Sequence, residues 1–249
     1  MMSASLHDAS YRFDAYLRSS IVDLNNRAIS YLQEGNYRSA VWDLERALER
    51  LEDPKIWYNS HPTHHLYNSQ SNDCQPIFQV DDMAALRVQS VPIAPSDHNE
   101  ASRSNIFEFY RRAFQIVSSR PEQCRIPPCS NLIVLKFNMA IAYHDDAIRR
   151  NRRSHFQKAL DLYQDILNIM QDFKIRGHSL LLLAIGNNVG HIHAQLNNFP
   201  QTREAMHWVR ELAMACREQA STVPYSDYTF FYKTVLIFNG NGLNIAPAA

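Results

Sequence analysis

The sequence predicts a mainly α chain, an α–α superhelix of about three antiparallel helix hairpins closed by a C-terminal capping helix. A small β-hairpin is expected in the insert between the first pair and the second. Three observations predict this. Apolar residues recur every three or four positions in seven stretches, the spacing of one helix face. Paired stretches are separated by short Gly- or Asn-containing breaks rather than by long loops. Glycine occurs only 6 times in 249 residues, too rarely for a fold made of tight turns, while a 45% hydrophobic content supplies a core.

Each element follows from its pattern. Residues 1–20 are polar with scattered aromatics and are expected to form a short leading helix or a loose arm. Leu24, Ala28, Tyr31 and Leu32 then mark a helix face, and Glu34-Gly35-Asn36 breaks it; Gly35 suits the left-handed backbone that follows many helices. Tyr37, Ala40, Val41, Leu44, Ala47, Leu48 and Leu51 form the face of the partner helix, which Pro54 ends. The insert over 53–104 is rich in Asn, Ser, Gln, His and Pro and reads as largely flexible. Within it, Leu86, Val88, Val91 and Ile93 carry a weak strand signal. Residues 105–117 fit either period: Phe107 and Phe109 alternate as in a strand, while Phe107, Tyr110, Phe114 and Val117 fit a helix. The balance of aromatic and β-branched residues leans toward a strand.

After a proline-rich loop over 118–130, a helix is expected over Asn131–Arg149 and its partner over Ser154–Asp172, with Arg149-Arg150-Asn151-Arg152-Arg153 as a polar hinge. A third pair covers His178–Leu196 and Phe199–Gln219, turning at Asn197-Asn198. Pro200 sits in a first helical turn, where proline is tolerated. An apolar helix over Asp227–Phe238 serves as the cap, and Asn239–Ala249 reads as a disordered tail. The whole is treated as one domain, residues 1–249.

The first hairpin is about 34 residues long, and its residues carry a resemblance. Leu24, Ala28, Tyr31, Gly35, Tyr37, Ala40, Leu44 and Ala47 match the large–small–aromatic–turn–aromatic–small–large–small pattern of the tetratricopeptide repeat. The second pair matches with Ala140, Tyr143, Phe156, Ala159, Tyr163 and Ile166, but with about seven extra residues at its turn. The third matches with Gly190, His193, Asn197, Phe199, Thr202, Met206 and Val209; Thr202 and His193 stand where alanine and tyrosine are usual. The resemblance covers about half the chain and implies a non-enzymatic scaffold or adaptor that holds a peptide or partner protein on the concave face of the repeats. On that resemblance the lining residues are Asn25, Asn26, Ile29, Lys136, Asn138, Ile141, Asn187, Asn188 and His191. Asparagine suits the task because its amide offers a donor and an acceptor to a peptide backbone, and Asn26, Asn138 and Asn188 occupy equivalent places. The carboxylate clamp of chaperone-binding repeats is not expected: Asn25 replaces the first lysine, and Ala184 and Asn188 replace the later basic residues.

Other constellations are weaker. Arg149, Arg150, Arg152 and Arg153 form a basic patch, the basis of an alternative reading as an RNA-associated or nuclear adaptor. A formal net charge of zero argues against a general nucleic-acid binder. His61, His64, His65 and Cys74 share one loop but lack the paired spacing of a zinc site, and Cys124 and Cys129 read as ordinary thiols. No metal or cofactor is therefore expected. His144 and Asp145 are adjacent on a helix and so face different neighbours, which argues against a catalytic dyad. No nucleophile or phosphate-loop motif is present, so no enzyme is expected. No signal pattern precedes Ser20 and no apolar run is long enough to span a bilayer, so an intracellular, cytoplasmic protein is expected, with the nucleus as the alternative and no membrane contact.

Overall fold

The computed structural model describes residues 19–51, 88–93, 108–117, 128–172, 178–218 and 223–240. The loop histidines, Cys74 and Cys124, the N-terminal arm, most of the insert and the C-terminal tail lie outside them. The fold is mainly α with one two-stranded antiparallel sheet. In chain order the elements are α1 (19–33), α2 (Tyr37–Leu51), β1 (Val88–Pro92), β2 (Arg112–Ile116), α3 (Pro128–Arg150), α4 (Arg153–Asp172), α5 (Ser179–Gln195), α6 (Phe199–Glu218) and α7 (Tyr225–Gly240). Most expected bounds hold within one or two residues. The larger difference is α3, which begins at Pro128 rather than Asn131, since proline is tolerated at the first position of a helix.

Three helix pairs are closed by one kind of turn. Gly35, Asn151 and Asn197 all adopt positive φ, at 73°, 52° and 58°. After each, the next backbone N–H reaches back five residues, from Asn36 to Tyr31 (2.7 Å), Arg152 to Ala147 (3.0 Å) and Asn198 to His193 (2.8 Å). This left-handed cap satisfies carbonyls that the helix end would leave bare, and glycine and asparagine are the residues that enter it at least cost. The helix after each turn buries the same spacing. Tyr37, Ala40, Leu44, Ala47 and Leu51 in α2 recur as Phe156, Ala159, Tyr163, Ile166 and Met170 in α4; Thr202, Met206, Val209 and Ala213 continue the set after Phe199 in α6. Steps of three and four keep these residues on one face.

The arginine run is not a hinge. Only Asn151 and Arg152 lie in the turn; Arg149 and Arg150 belong to the last turn of α3, and Arg153 opens α4. The seven extra residues lengthen the two helices, four before Asn151 and three after it, which is about one turn each.

The chain forms two compact units, which take up the described residues of Met1–Ala94, Arg112–Tyr143 and Gln164–Arg176, and of Pro95–Arg111, His144–Tyr163 and Gly177–Ala249. In the first unit α1 and α2 are joined by a two-pronged ion pair from Arg27 to Asp43 (2.6 and 2.7 Å). β1 pairs with β2 from Val88 opposite Ile116 to Pro92 opposite Arg112. The free edge of β1 is blunted: the Ser90 carbonyl accepts from Arg112 Nη2 (2.8 Å), the Pro92 carbonyl accepts from Gln33 Nε2 (3.0 Å), and Pro92 has no N–H to offer.

In the second unit α5 packs closely along α6, and α7 closes over both with Phe231 and Val235 buried. The outer side of α7 carries exposed Tyr225, Tyr232, Leu236 and Ile237. Gly186 sets the approach of α5 to α6, because a Cβ there would stand 2.7 Å from the Trp208 ring and 2.8 Å from Val209 Cγ2. Gly186→Ala gains helix propensity but overpacks this contact. A net loss of about 1 kcal/mol is expected, read in calorimetry as a melting point ~2–4 °C lower.

Candidate functional site

Asparagines from the first helices of the pairs hold extended backbone of the same chain, Asn25, Asn26 and Asn138 at Phe114 and Ile116 in the first unit, and Asn187 and Asn188 at Glu108 and Tyr110 in the second. The device is built twice. In the first unit, Asn26 Oδ1 accepts from the Ile116 N–H (3.3 Å) and its Nδ2 donates to the Ile116 carbonyl (3.1 Å). Its neighbour Asn25 donates to Asn26 Oδ1 (3.2 Å) and to the carbonyl two residues earlier, that of Phe114 (3.1 Å). In the second unit, Asn188 Oδ1 accepts from the Tyr110 N–H (3.0 Å) and its Nδ2 donates to the Tyr110 carbonyl (3.4 Å). Asn187 donates to Asn188 Oδ1 (3.3 Å) and to the carbonyl two residues earlier, that of Glu108 (3.0 Å). Each Asn-Asn pair stands at the same place in its helix, nine residues ahead of the left-handed turn residue.

Asn138, on α3, makes the same grip without an Asn before it, since Phe137 stands there. Its Oδ1 accepts from the Phe114 N–H (2.8 Å), and its Nδ2 donates to the Phe114 carbonyl (2.9 Å) and to Asn25 Oδ1 (2.8 Å). The logic is that of a sheet. One residue of a strand presents its N–H and C=O on the same edge, and a side-chain amide presents the complementary acceptor and donor. Phe114 and Ile116 turn these groups to asparagines, which leaves Ala113 and Gln115 to face β1. Asparagine side chains thus take the place of a third strand along β2.

Side chains of the segment add to the grip. In the first unit Phe114 packs on Phe137 with ring centroids 4.8 Å apart, and Ile116 is fully buried. In the second, the Tyr110 hydroxyl donates to Asp227 (2.9 Å) while its ring lies against Phe230 and Phe231. Arg111 Nε lies 3.0 Å from Asp145, whose other oxygen lies 3.3 Å from Arg149 Nε. The carboxylate of Asp145 has no exposure to solvent, and these two guanidinium neighbours contribute to compensating its charge.

Phe109 covers a histidine pair. Its ring centroid is 3.9 Å from that of His144, and His144 Nε2 meets His191 Nδ1 at 3.0 Å. Burial, then the neighbouring His191 and Arg111, push the His144 imidazole well below its ordinary pKa, so it stays neutral. Its other nitrogen, Nδ1, is buried with no hydrogen-bond partner among the described residues. Asp145, adjacent in sequence, lies against Arg111 and Arg149. Tyr163 is buried, accepts from Asn188 Nδ2 at 3.1 Å, and burial pushes its phenol well above the ordinary range.

Most of the expected groove residues are therefore covered, each within its own unit. Asn25, Asn138, Asn187 and Asn188 have no exposed surface, His191 is buried against His144, and Ile29 and Ile141 are core residues. They were expected to face a partner; the chain's own segment lies there, because an amide that can hold a foreign backbone holds an internal one equally well. Lys136 instead pairs with Asp165 (2.9 Å) at the surface. Of the basic patch, Arg149 lies against Asp145 and Arg150 pairs with Asp146 (2.8 Å), while Arg150, Arg152 and Arg153 are exposed. What sequence reasoning missed is the occupant. Its one legible signal was the strand-like alternation near Phe109.

No described helix is long and apolar enough to cross a membrane. Comparison with protein families, with curated proteins and with solved structures gives no match.

Proposed function

We propose that this chain is a non-enzymatic adaptor of the tetratricopeptide kind, which binds a protein partner by gripping an extended stretch of its backbone. The observation that carries this reading is the Asn-Asn grip made twice with the same pattern of donors, acceptors and spacing. Such a grip reads backbone and not sequence, so it suits recognition of an extended chain. The repeated left-handed turns and the recurring three–four burial spacing support the repeat assignment. The alternative, an arginine-mediated RNA adaptor, has less to draw on, because two of its four arginines are paired with Asp145 and Asp146.

The test is reconstitution. Tagged chain is used to capture protein from native lysate, and the most abundant species is identified, purified and titrated by calorimetry. A saturable complex of defined stoichiometry is the expected result. Retention no greater than that of the heat-unfolded chain would overturn the reading.

A further inference from the structure

We infer that the turn between α3 and α4 docks an acidic segment of a partner protein, held by Arg150, Arg152 and Arg153. This rests on the adaptor reading and adds the chemistry of the partner. All three arginines belong to the second unit. They lie around the turn where α3 and α4 run about one helical turn longer than the helices of the other two pairs. The packing face of α4 starts only after them, at Phe156, so core packing does not account for them.

Two of the charges are placed against the preference of the fold. Arg149 and Arg150 suit their position: they end α3, where cations are favoured, and each has an acid one turn back, Asp145 and Asp146. Arg152 and Arg153 do not. They stand at the start of α4, the positive end of that helix, whose first turn holds no acidic residue. Both are exposed, and neither side chain makes an ion pair or hydrogen bond among the described residues. Asp145 and Asp146 are buried and in contact with other basic groups. Arg150, although paired, keeps 54% of its side chain exposed and extends the same cationic surface. A cluster of cations that local electrostatics disfavour, and that packing does not require, is explained by an anion bound from outside.

The surroundings select the anion. A guanidinium fork fits carboxylate and phosphate alike. Phe156, the aromatic ring next in sequence, is buried, so no face is offered for stacking a nucleic-acid base. The formal net charge of the chain is zero, so no general basic excess backs the patch. No exposed apolar side chain lies over 149–158 to enter a lipid surface. A short run of Asp and Glu on a protein chain is the partner that these features fit.

The experiment titrates the full chain into a fluorescein-labelled hexaglutamate peptide at low salt, read by fluorescence anisotropy. Saturable binding is expected, weakening as salt rises and at least tenfold weaker in the variant Arg152→Gln, Arg153→Gln. The variant Arg203→Gln, Arg217→Gln removes the same charge from exposed positions on α6 and is expected to bind as wild type does. No binding by wild type, or equal loss in both variants, would overturn the proposal. So would a single-stranded oligouridylate of equal charge that binds tenfold more tightly than the peptide. Melting separates docking from folding. Taking cations off the positive end of α4 is expected to leave the melting point of the Arg152→Gln, Arg153→Gln variant equal to that of wild type or up to ~2 °C higher. A lower melting point would show that the two arginines serve the fold, and the idea would fail. A reconstituted partner complex that this variant forms as tightly as wild type would remove the acidic docking point and leave the adaptor reading. Peptide binding in the absence of any captured partner would remove the adaptor reading alone.

Discussion

Asn138→Ala is expected to lower stability by about 3–5 kcal/mol. The side chain has no exposure and makes three hydrogen bonds, one from the Phe114 N–H, one to the Phe114 carbonyl and one to Asn25 Oδ1. Alanine leaves the Phe114 N–H and Asn25 Oδ1 without these partners, at ~1–3 kcal/mol for each buried group. The lost volume adds a cavity term of the same sign. The Phe114 carbonyl suffers less, because Asn25 Nδ2 still reaches it at 3.1 Å. Urea unfolding measures the total, and hydrogen exchange at the Phe114 amide shows whether the loss is local to the segment. Asn26→Ala is the internal comparison. Asn26 is only half-buried, so water can replace its grip on Ile116, and a cost of about 1 kcal/mol is expected. Asn138→Asp distinguishes donor loss from volume loss. A carboxylate keeps the acceptor for Phe114 N–H but turns negative charge toward the Phe114 carbonyl, so it is expected to be at least as damaging at neutral pH. Protonation restores a donor, so the defect should shrink as pH falls. A cost below 1 kcal/mol for Asn138→Ala would mean that the clamps hold the segment only passively.

The helices were legible because their signals are local. Leu24 to Leu32 and Tyr37 to Leu51 carry their own period, and Gly35 and Asn197 mark left-handed turns that the residue type alone favours. The equivalence of Asn26, Asn138 and Asn188 was legible for the same reason, since it depends on position within a repeated unit. What they hold was not legible. Phe114 lies 24 residues from Asn138 and 89 from Asn25, and nothing in either sequence neighbourhood encodes that pairing. The strand or helix ambiguity of 105–117 has the same origin. Tyr110, Phe114 and Val117 fit a helical face by spacing, but Phe114 and Ile116 find a better hydrogen-bond solution against asparagine amides and β1. The arginine run misled because charge density resembles a solvated turn, whereas Asp145 and Asp146, one turn earlier on α3, draw Arg149 and Arg150 into the helix.

Mild acid is expected to destabilise the second unit through His144. Burial holds its folded pKa well below the ordinary 6.5, whereas the unfolded chain titrates near that value. Between the two, the unfolded state binds a proton that the folded state refuses, so stability falls as pH falls. The contribution is absent above the unfolded value, sets in below about pH 6.5, and levels off only once the folded pKa is reached. Stability is therefore lost progressively through that window. Geometry explains why the folded state refuses the proton. In the cation both ring nitrogens carry protons, and Nδ1 is buried without a hydrogen-bond partner among the described residues, while Nε2 faces His191. The faces around the ring are Phe109 from the segment, Phe156 from α4, and His191 from α5. Of the charged groups near it, Arg111 opposes a second cation, and Asp145 is already occupied by Arg111 and Arg149. His178 and His193, whose pKa values burial also lowers, add slopes of the same sign, smaller because both are partly solvated. Acid titration of carboxylates contributes as well, so the informative quantity is the difference between wild type and His144→Gln. Glutamine keeps a polar contact toward His191 without titrating, and its stability from pH 7 to pH 5 should fall less steeply than that of wild type. Parallel curves would show that His144 does not govern the acid response. Because Phe109 and Arg111 stand directly over this pair, a charge on His144 also pushes on the segment that fills the clamp, so hydrogen exchange at Tyr110 should quicken at pH 5 in wild type and not in His144→Gln.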